Sequence, residues 1–295
     1  MSDRISGMAR AMQGWDQALT APVTRPGGLF GQKILIQCAG MTIDGDKLDC
    51  EFTVPFDDDT EANEAEIAVY NLSKDSRARL QYNEPITVTA GYGEDTGVIF
   101  SGRISKVTTH TSGADDKTTI LALDAMDLKE RKIDSVSYQK GTKASYILKD
   151  LIGRLGLPLA VFKPVRDYTY TKGANMDGEL MEAIRKYAKV CGVSAYVCKG
   201  RVYVRDLRDG DDIGFTVSEQ TGLTGSPEEF EEEVKAEDYT DTVKGYSFKM
   251  LLQHRMTTAA IIHLESRGAV GVFRVRSGTH SFDGTNLITE CEVIA

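Results

Sequence analysis

No run of 18 apolar residues occurs in the 295-residue chain, so a membrane-spanning helix is not expected. The longest apolar stretches, such as AAIIHL at 259–264, suit buried strands. The first residues, MSDRISGMARAMQGWDQAL, lack the apolar centre of a signal peptide. Cysteine is sparse. The five residues, Cys38, Cys50, Cys191, Cys198 and Cys291, are odd in number and widely spaced, which argues for reduced thiols and assembly inside a cell. Cys191 and Cys198 have neither a second pair nor a nearby histidine, so they read as core thiols rather than zinc ligands. None of the four histidines forms H-x-x-x-H or H-E-x-x-H, no C-x-x-C is present, and no G-x-S-x-G elbow appears. The sequence therefore offers no catalytic residue, no cofactor site and no metal site. A surplus of basic charge is also missing. The formal net charge is -9, which argues against a protein that grips nucleic acid through a basic face. It is compatible with nucleic acid passing an acidic wall without sticking.

What is present is mostly alternation. Residues 33–125 have a period near two, in KILIQCAGMTI, LDCEFTVPF and EAEIAVYNL, then from PITVTAGY to ILALDAM. Ser73 is placed to cap a short helix over 74–81. Six or seven antiparallel strands in about 90 residues suggest a small closed or nearly closed barrel or sandwich. Before them, residues 1–29 read as an arm. Met8, Met12, Trp15 and Leu19 share one face of a short helix, and Trp15 is the only tryptophan. Such an arm docks on its own domain or on a neighbouring subunit, with Met12, Trp15 and Leu19 as contacts.

The glycines at 91, 93, 97 and 102 invite a phosphate-loop reading, which the spacing refuses. G-x-x-x-x-G-K-[ST] and a strand–G-x-G-x-x-G–helix are both absent, both flanks are strands, and Glu94 and Asp95 would repel phosphate. The stretch reads as a hairpin turning through GEDTG, with Gly102 as a bulge or a point of close packing.

Residues 135–209 change period. ASYILKDLIGRL predicts a helix capped by Thr142, with Tyr146 or Ile147, Leu148, Leu151, Ile152 and Leu155 inward and Gly156 as its stop. A second helix follows, with Leu180, Ile184, Tyr187, Ala188 and Cys191 inward, then a hairpin turning at Lys199-Gly200. Residues 210–295 return to strands, two of them within 243–264, and include an acidic run with eight Asp or Glu against one Lys between 228 and 241. This run reads as a solvated face or loop.

Chemical constellations are weak. His263 lies in an apolar strand and reads as a core or interface residue. His280 in SGTHSFDG reads as a turn histidine, although Asp283 three residues on could orient it as a base. Asp57, Asp58 and Asp59 form a dense carboxylate run that matches neither a glycosidase pair nor an EF-hand. RDYTYTKG at 166–173 is the only aromatic platform available to a sugar, and reads more simply as an exposed hairpin.

Four stretches together resemble the baseplate hub proteins of long-tailed bacteriophages and related contractile injection systems. They are EAEIAVYNLSKDSRARL, ITVTAGYGEDTGVIFSGRISKV, TTILALDAMDL, and VYVRD with TGLTGSPE and GVFRVRSGTHSFDG. The resemblance implies a mainly β chain with an α+β insert, in which two tail-tube-like barrel or sandwich domains flank two helices and a hairpin. The boundaries it implies are an arm at 1–29, a first tube-like unit at 30–134, the insert at 135–209 and a second unit at 210–295. That second unit would be completed by a strand from about 130–140. It also implies a homotrimeric ring between a hexameric tail tube or distal tail ring and a trimeric central spike or tip. A tape-measure protein would be near, DNA would pass through unbound, the ring would not insert in a membrane, and assembly would take place in the bacterial host cytoplasm. Tyr92 and Phe100 would act as core or ring-interface anchors, and no enzymatic activity is implied. Other readings are a single-unit tail ring component, a carbohydrate-binding module, or a hydrolase with a non-local site.

Overall fold

A computed structural model describes residues 30–58, 62–125, 131–235 and 240–295. Seven strands make the first part: β1 (Gln32–Cys38), β2 (Met41–Asp44), β3 (Cys50–Phe56), β4 (Glu64–Tyr70), β5 (Pro85–Tyr92), β6 (Asp95–Ser112) and β7 (Asp115–Leu123). Alternation sends one face of each inward: Ile34, Ile36 and Cys38 from β1, Phe52 and Val54 from β3, Ile86 and Val88 from β5. The short helix α1 (Lys74–Arg79) begins where the sequence predicts, with Ser73 Oγ accepting from the Ser76 N–H, and stops two residues early. The β5–β6 hairpin turns at Gly93-Glu94. Gly102 is a close-packing point, because a Cβ there would overlap the Leu123 carbonyl oxygen, while the two bulges of β6 fall at Ile99 and Ser105.

The insert contains β8 (Lys132–Tyr138), α2 (Ala144–Leu155), β9 (Leu159–Phe162), β10 (Ala174–Glu179), α3 (Leu180–Val190), β11 (Ser194–Cys198) and β12 (Arg201–Arg205). Ile147, Leu148, Leu151, Ile152 and Leu155 of α2 pack against Leu180, Ile184, Tyr187 and Ala188 of α3 and the β11–β12 hairpin in a separate core. Tyr146 is exposed, so Ile147 takes the inward place. Thr142 is not the cap of α2. Its hydroxyl donates to the Gln139 carbonyl, and Asp167 instead accepts from the Ser145 N–H in the first turn. Residues 166–173 are not a hairpin. They run along the start of α2, bridging Lys143 to Thr169.

The last part holds β13 (Asp211–Val217), β14 (Leu223–Lys235), β15 (Thr240–Leu251), β16 (Ala260–Glu265), β17 (Val270–Phe282) and β18 (Leu287–Ile294). Its core gathers Phe215, Val217, Phe248, Met250, Ile262, Leu264, Val275 and Val293. The strand expected from 130–140 does not complete this unit. β8, which straddles the expected boundary at 134/135, pairs with β10 and buries Ile133 in the insert core. Pairing is mostly antiparallel, but β13 runs parallel to β16 and β9 parallel to β12.

Neither β unit closes into a barrel among the described residues. The strand order is β14-β15-β18-β17-β3-β4-β7-β6-β5-β1-β2, with β16 and β13 branching from β17, so 13 strands form one open sheet. The reason is the length of β17. Its first half pairs with β16 and its second half, Gly278–Phe282, pairs with Phe52–Phe56 of β3. The edge that would have closed the first unit is thereby occupied by the second, and an occupied edge is no longer exposed to other chains.

Candidate functional site: the joint between the two β units and the insert

Backbone pairing of β17 with β3 brings three parts of the chain to one place, and specific side chains lock it. Gly278 faces Phe56 across the ladder. A Cβ at Gly278 would meet the Phe56 ring at 2.5 Å and overlap the Glu290 carbonyl oxygen, so only hydrogen fits there. Tyr92 lies at the end of β5, 7% exposed, and its hydroxyl donates to the Leu287 carbonyl at 2.6 Å. Gln32 reaches Thr285 in the same way. Leu252 and Leu287, from the second unit, are buried within the first core.

The second lock is ionic. Asp95, first residue of β6, accepts from the Arg255 guanidinium (2.7 Å and 2.9 Å) and the Gln253 amide (3.2 Å), and its carboxylate lies 3.0 Å from His254 Nε2. The hydrogen bond with His254 holds the Asp95 carboxyl well below the usual carboxylate range, with Arg255 and Gln253 acting in the same direction against burial. The loop between β15 and β16 is thus fastened to the first hairpin.

The insert reaches the joint through the tip of β11–β12. Lys199 (φ 49°) and Gly200 (φ 72°) are both left-handed, the geometry of a two-residue hairpin turn. Lys199 Nζ donates to the Val98 carbonyl at 3.2 Å. Cys198 Sγ lies 3.5 Å from Thr257 Oγ1. A cavity of about 20 Å³ remains between them, lined by Asn63, Phe100, Asp124, Lys199, Thr257 and His280 among others, a size that admits one water. Burial pushes the Asp124 carboxyl up to about 7, although it accepts from Asn63 N–H and Nδ2. Burial pushes Lys199 down. His280 is 1% exposed, with Nδ1 2.8 Å from Thr289 Oγ1 and Nε2 3.1 Å from the Met256 carbonyl. Burial, with the charge of Lys199, lowers its pKa to about 3, so the ring is neutral at ordinary pH.

A further ionic layer lies between insert and second unit. Arg205, 2% exposed, packs over the stacked Tyr196 and Tyr203 rings and donates to Tyr196 Oη and Asp211. Arg274 pairs with Asp58 at 2.9 Å and donates to the Asp209 carbonyl.

These contacts relocate several residues singled out in the sequence. His280 is a mid-strand residue held by β18 and the 252–256 loop, not a turn histidine. Asp283 is spent on Thr285 and Asn286, so it orients no base. His263 is exposed rather than core, because its strand presents alternate faces. Asp58 is an ion-pair partner of Arg274, while Asp59 lies outside the described residues. Tyr92 and Phe100 (3% exposed) serve the first core. Met12, Trp15 and Leu19 lie outside the described residues. Among the described residues no three His, Cys, Asp or Glu side chains gather as a metal site. Sequence reasoning missed the loop Gln253-His254-Arg255, whose three consecutive polar side chains inside an apolar strand region were the available signal.

The fold and this joint define a mostly β chain with an α+β insert, whose buried polar groups tie its parts together. The profile described as Baseplate hub gp41 matches residues 58–268, most of the chain, and the protein belongs to that family of structural, non-catalytic tail proteins. No curated protein matches. Among solved structures, the chain is similar to the 43 kDa tail protein of prophage MuSo2 from Shewanella oneidensis, with TM-score 0.63 at 10% identity over 89% of this chain and 98% of that one. The tail protein from Neisseria meningitidis MC58 gives 0.62 at 10% identity, over 90% and 97%. The E. coli c3393 protein gives 0.57 at 10% identity, over 88% and 76%. It is described as a type VI secretion component with structural similarity to T4 bacteriophage tail proteins gp27 and gp5. At such identities the likeness shows the fold. No helix among the described residues is long and apolar enough to cross a membrane.

Proposed function

We propose that three copies of this chain close into a ring that joins the hexameric tail tube, or a distal tail ring, to a trimeric central spike or tip. The supporting observation is that one chain carries two β cores tied across β17 and β3. Three such chains present six tube-like units, matching a sixfold tube on one face while keeping threefold symmetry on the other. A tube or distal-ring protein would need only one unit per chain. The units are residues 30–131 and 210–295, with the insert from β8 to residue 209 projecting from them. DNA passes through the ring without specific binding, as the net charge of -9 favours, and assembly takes place in the host cytoplasm.

Light scattering at several protein concentrations tests the ring, alone and with the tube protein added. A species of three times 32.4 kDa is expected. A chain that stays monomeric in both conditions would refute the ring.

A further inference from the structure

Charge is unevenly divided along the chain. Residues 132–209 hold 15 of the 35 Lys and Arg but only 8 of the 44 Asp and Glu, so the insert is strongly basic on a protein of net charge -9. Part of this charge lies beside exposed rings. The second half of α3 exposes Lys186 and Lys189. Arg166 donates to the Lys189 carbonyl at 3.2 Å, which sets its guanidinium next to that helix end. On the same segment Val165 and Tyr168 are 63% and 53% exposed, and Tyr168 stands edge-on to Tyr170 at 4.9 Å. Exposed tyrosine and arginine around an apolar residue is the composition of interface centres.

The opposite charge sits on a projecting ribbon. The β15–β18 ladder stops at Gly245–Ile294, whereas β14 and β15 continue to pair with each other from Glu231–Lys244 out to Lys235–Thr240. Beyond the sheet this is a two-stranded ribbon, a structure of marginal stability on its own. Glu228, Glu229 and Glu231 are exposed at its base, and the sequence from 228 to 241 holds eight acids against one lysine.

We infer that the basic, tyrosine-bearing face of the insert, formed by residues 165–168 and the end of α3, receives the acidic β14–β15 ribbon of a second copy of this chain. The inference rests on the ring reading and names a contact that closes it. Complementary patches on different parts of one chain make a head-to-tail interface, and in a closed ring each copy gives one ribbon and receives one. The contact is charge-steered, so it weakens as salt shortens the screening length to a few ångströms, on the order of 3 Å at 1 M.

Charge reversal on full-length protein tests this. One variant carries Lys186→Glu and Lys189→Glu, the other Glu228→Lys, Glu229→Lys and Glu231→Lys. All five positions are exposed, and unchanged circular dichroism confirms that each variant folds. Each variant alone should associate at least tenfold more weakly than the wild type, and a protein carrying all five reversals should regain association, because every contact of its three-copy ring again joins opposite charges. Wild type and both variants forming the same trimer would overturn the inference and leave the ring standing. Weakening of both variants without recovery in the protein that carries all five reversals would overturn it too. So would a Lys186→Glu/Lys189→Glu protein that keeps its oligomeric mass but loses binding to duplex DNA or to anionic vesicles, which would assign the face to that polyanion. A wild type that never exceeds a monomer, even with tube protein, would remove the ring reading itself and the inference with it.

Discussion

His280 and Asp124 line the same small cavity with opposite proton preferences. His280 is held neutral, its pKa down to about 3, so its contribution to stability is present above the unfolded value near 6.5 and is lost as pH falls through that window. At pH 5 this loss is roughly 2 kcal/mol. Asp124 is the reverse case. Its pKa is raised to about 7, so its contribution is present below the unfolded value near 4 and is lost as pH rises through 7. Between pH 7 and 4 the two oppose each other, and the wild type should show only a shallow dependence from this site. Single variants separate them. Asp124→Asn leaves the histidine unopposed, and its denaturation midpoint should drop more steeply on acidification than that of the wild type. His280→Gln should drop less steeply, or rise. Urea titrations at pH 7, 6, 5 and 4 read this directly, and parallel curves for all three proteins would show that neither group titrates across the fold.

At the scale of elements, Asp95 fastens the β5–β6 hairpin to the loop after β15. Removing the carboxylate leaves Arg255 and His254 partly buried without it, and a partly buried pair broken on one side costs about 2–3 kcal/mol, below the range for a fully buried one. Asp95→Ala should lose that much in equilibrium denaturation, and Asp95→Asn should recover some of it through the Gln253 amide. A loss under about 0.5 kcal/mol would place the bond among ordinary surface pairs. The elements themselves were largely legible. Period-two alternation located the strands, Ser73 and Gly156 marked helix ends, and Lys199-Gly200 marked the hairpin tip. What could not be read was partnership. Alternation tells which face of a strand is buried but not which strand lies beside it, so β8 is expected in the second unit, the parallel pairings of β13 and β9 are not foreseen, and each β unit is expected as a barrel or sandwich of its own. Asp95 was legible as a group hostile to phosphate. Its true partners are about 160 positions away, and no local spacing encodes that.

At the scale of the whole molecule, the continuous ladder from β14 to β2 makes a claim about cooperativity. The two β cores share one sheet through β17 and β3, so neither can open without breaking that pairing, whereas the insert has its own core and is tied on chiefly by the Lys199 tip, the Arg205–Asp211 pair and the bond from Arg274 to the Asp209 carbonyl. Gly278 is the point where this can be tested, since it alone permits β17 to lie against Phe56 and Glu290 at that spacing. Gly278→Ala forces a methyl group into contact with ring and backbone and should cost about 1–3 kcal/mol, the usual range for overpacking. The pattern of the loss is more informative than its size. Hydrogen exchange followed by mass spectrometry should show faster exchange in both β cores together, in peptides from β4 and β7 as well as from β15 and β18, by a common factor of about 5–150, as the equilibrium constant dictates. Peptides from α2 and α3 should change much less. If only β17 and β18 accelerate while β4 and β7 keep their protection, the two units open independently, and the shared sheet is a contact between two domains rather than the backbone of one.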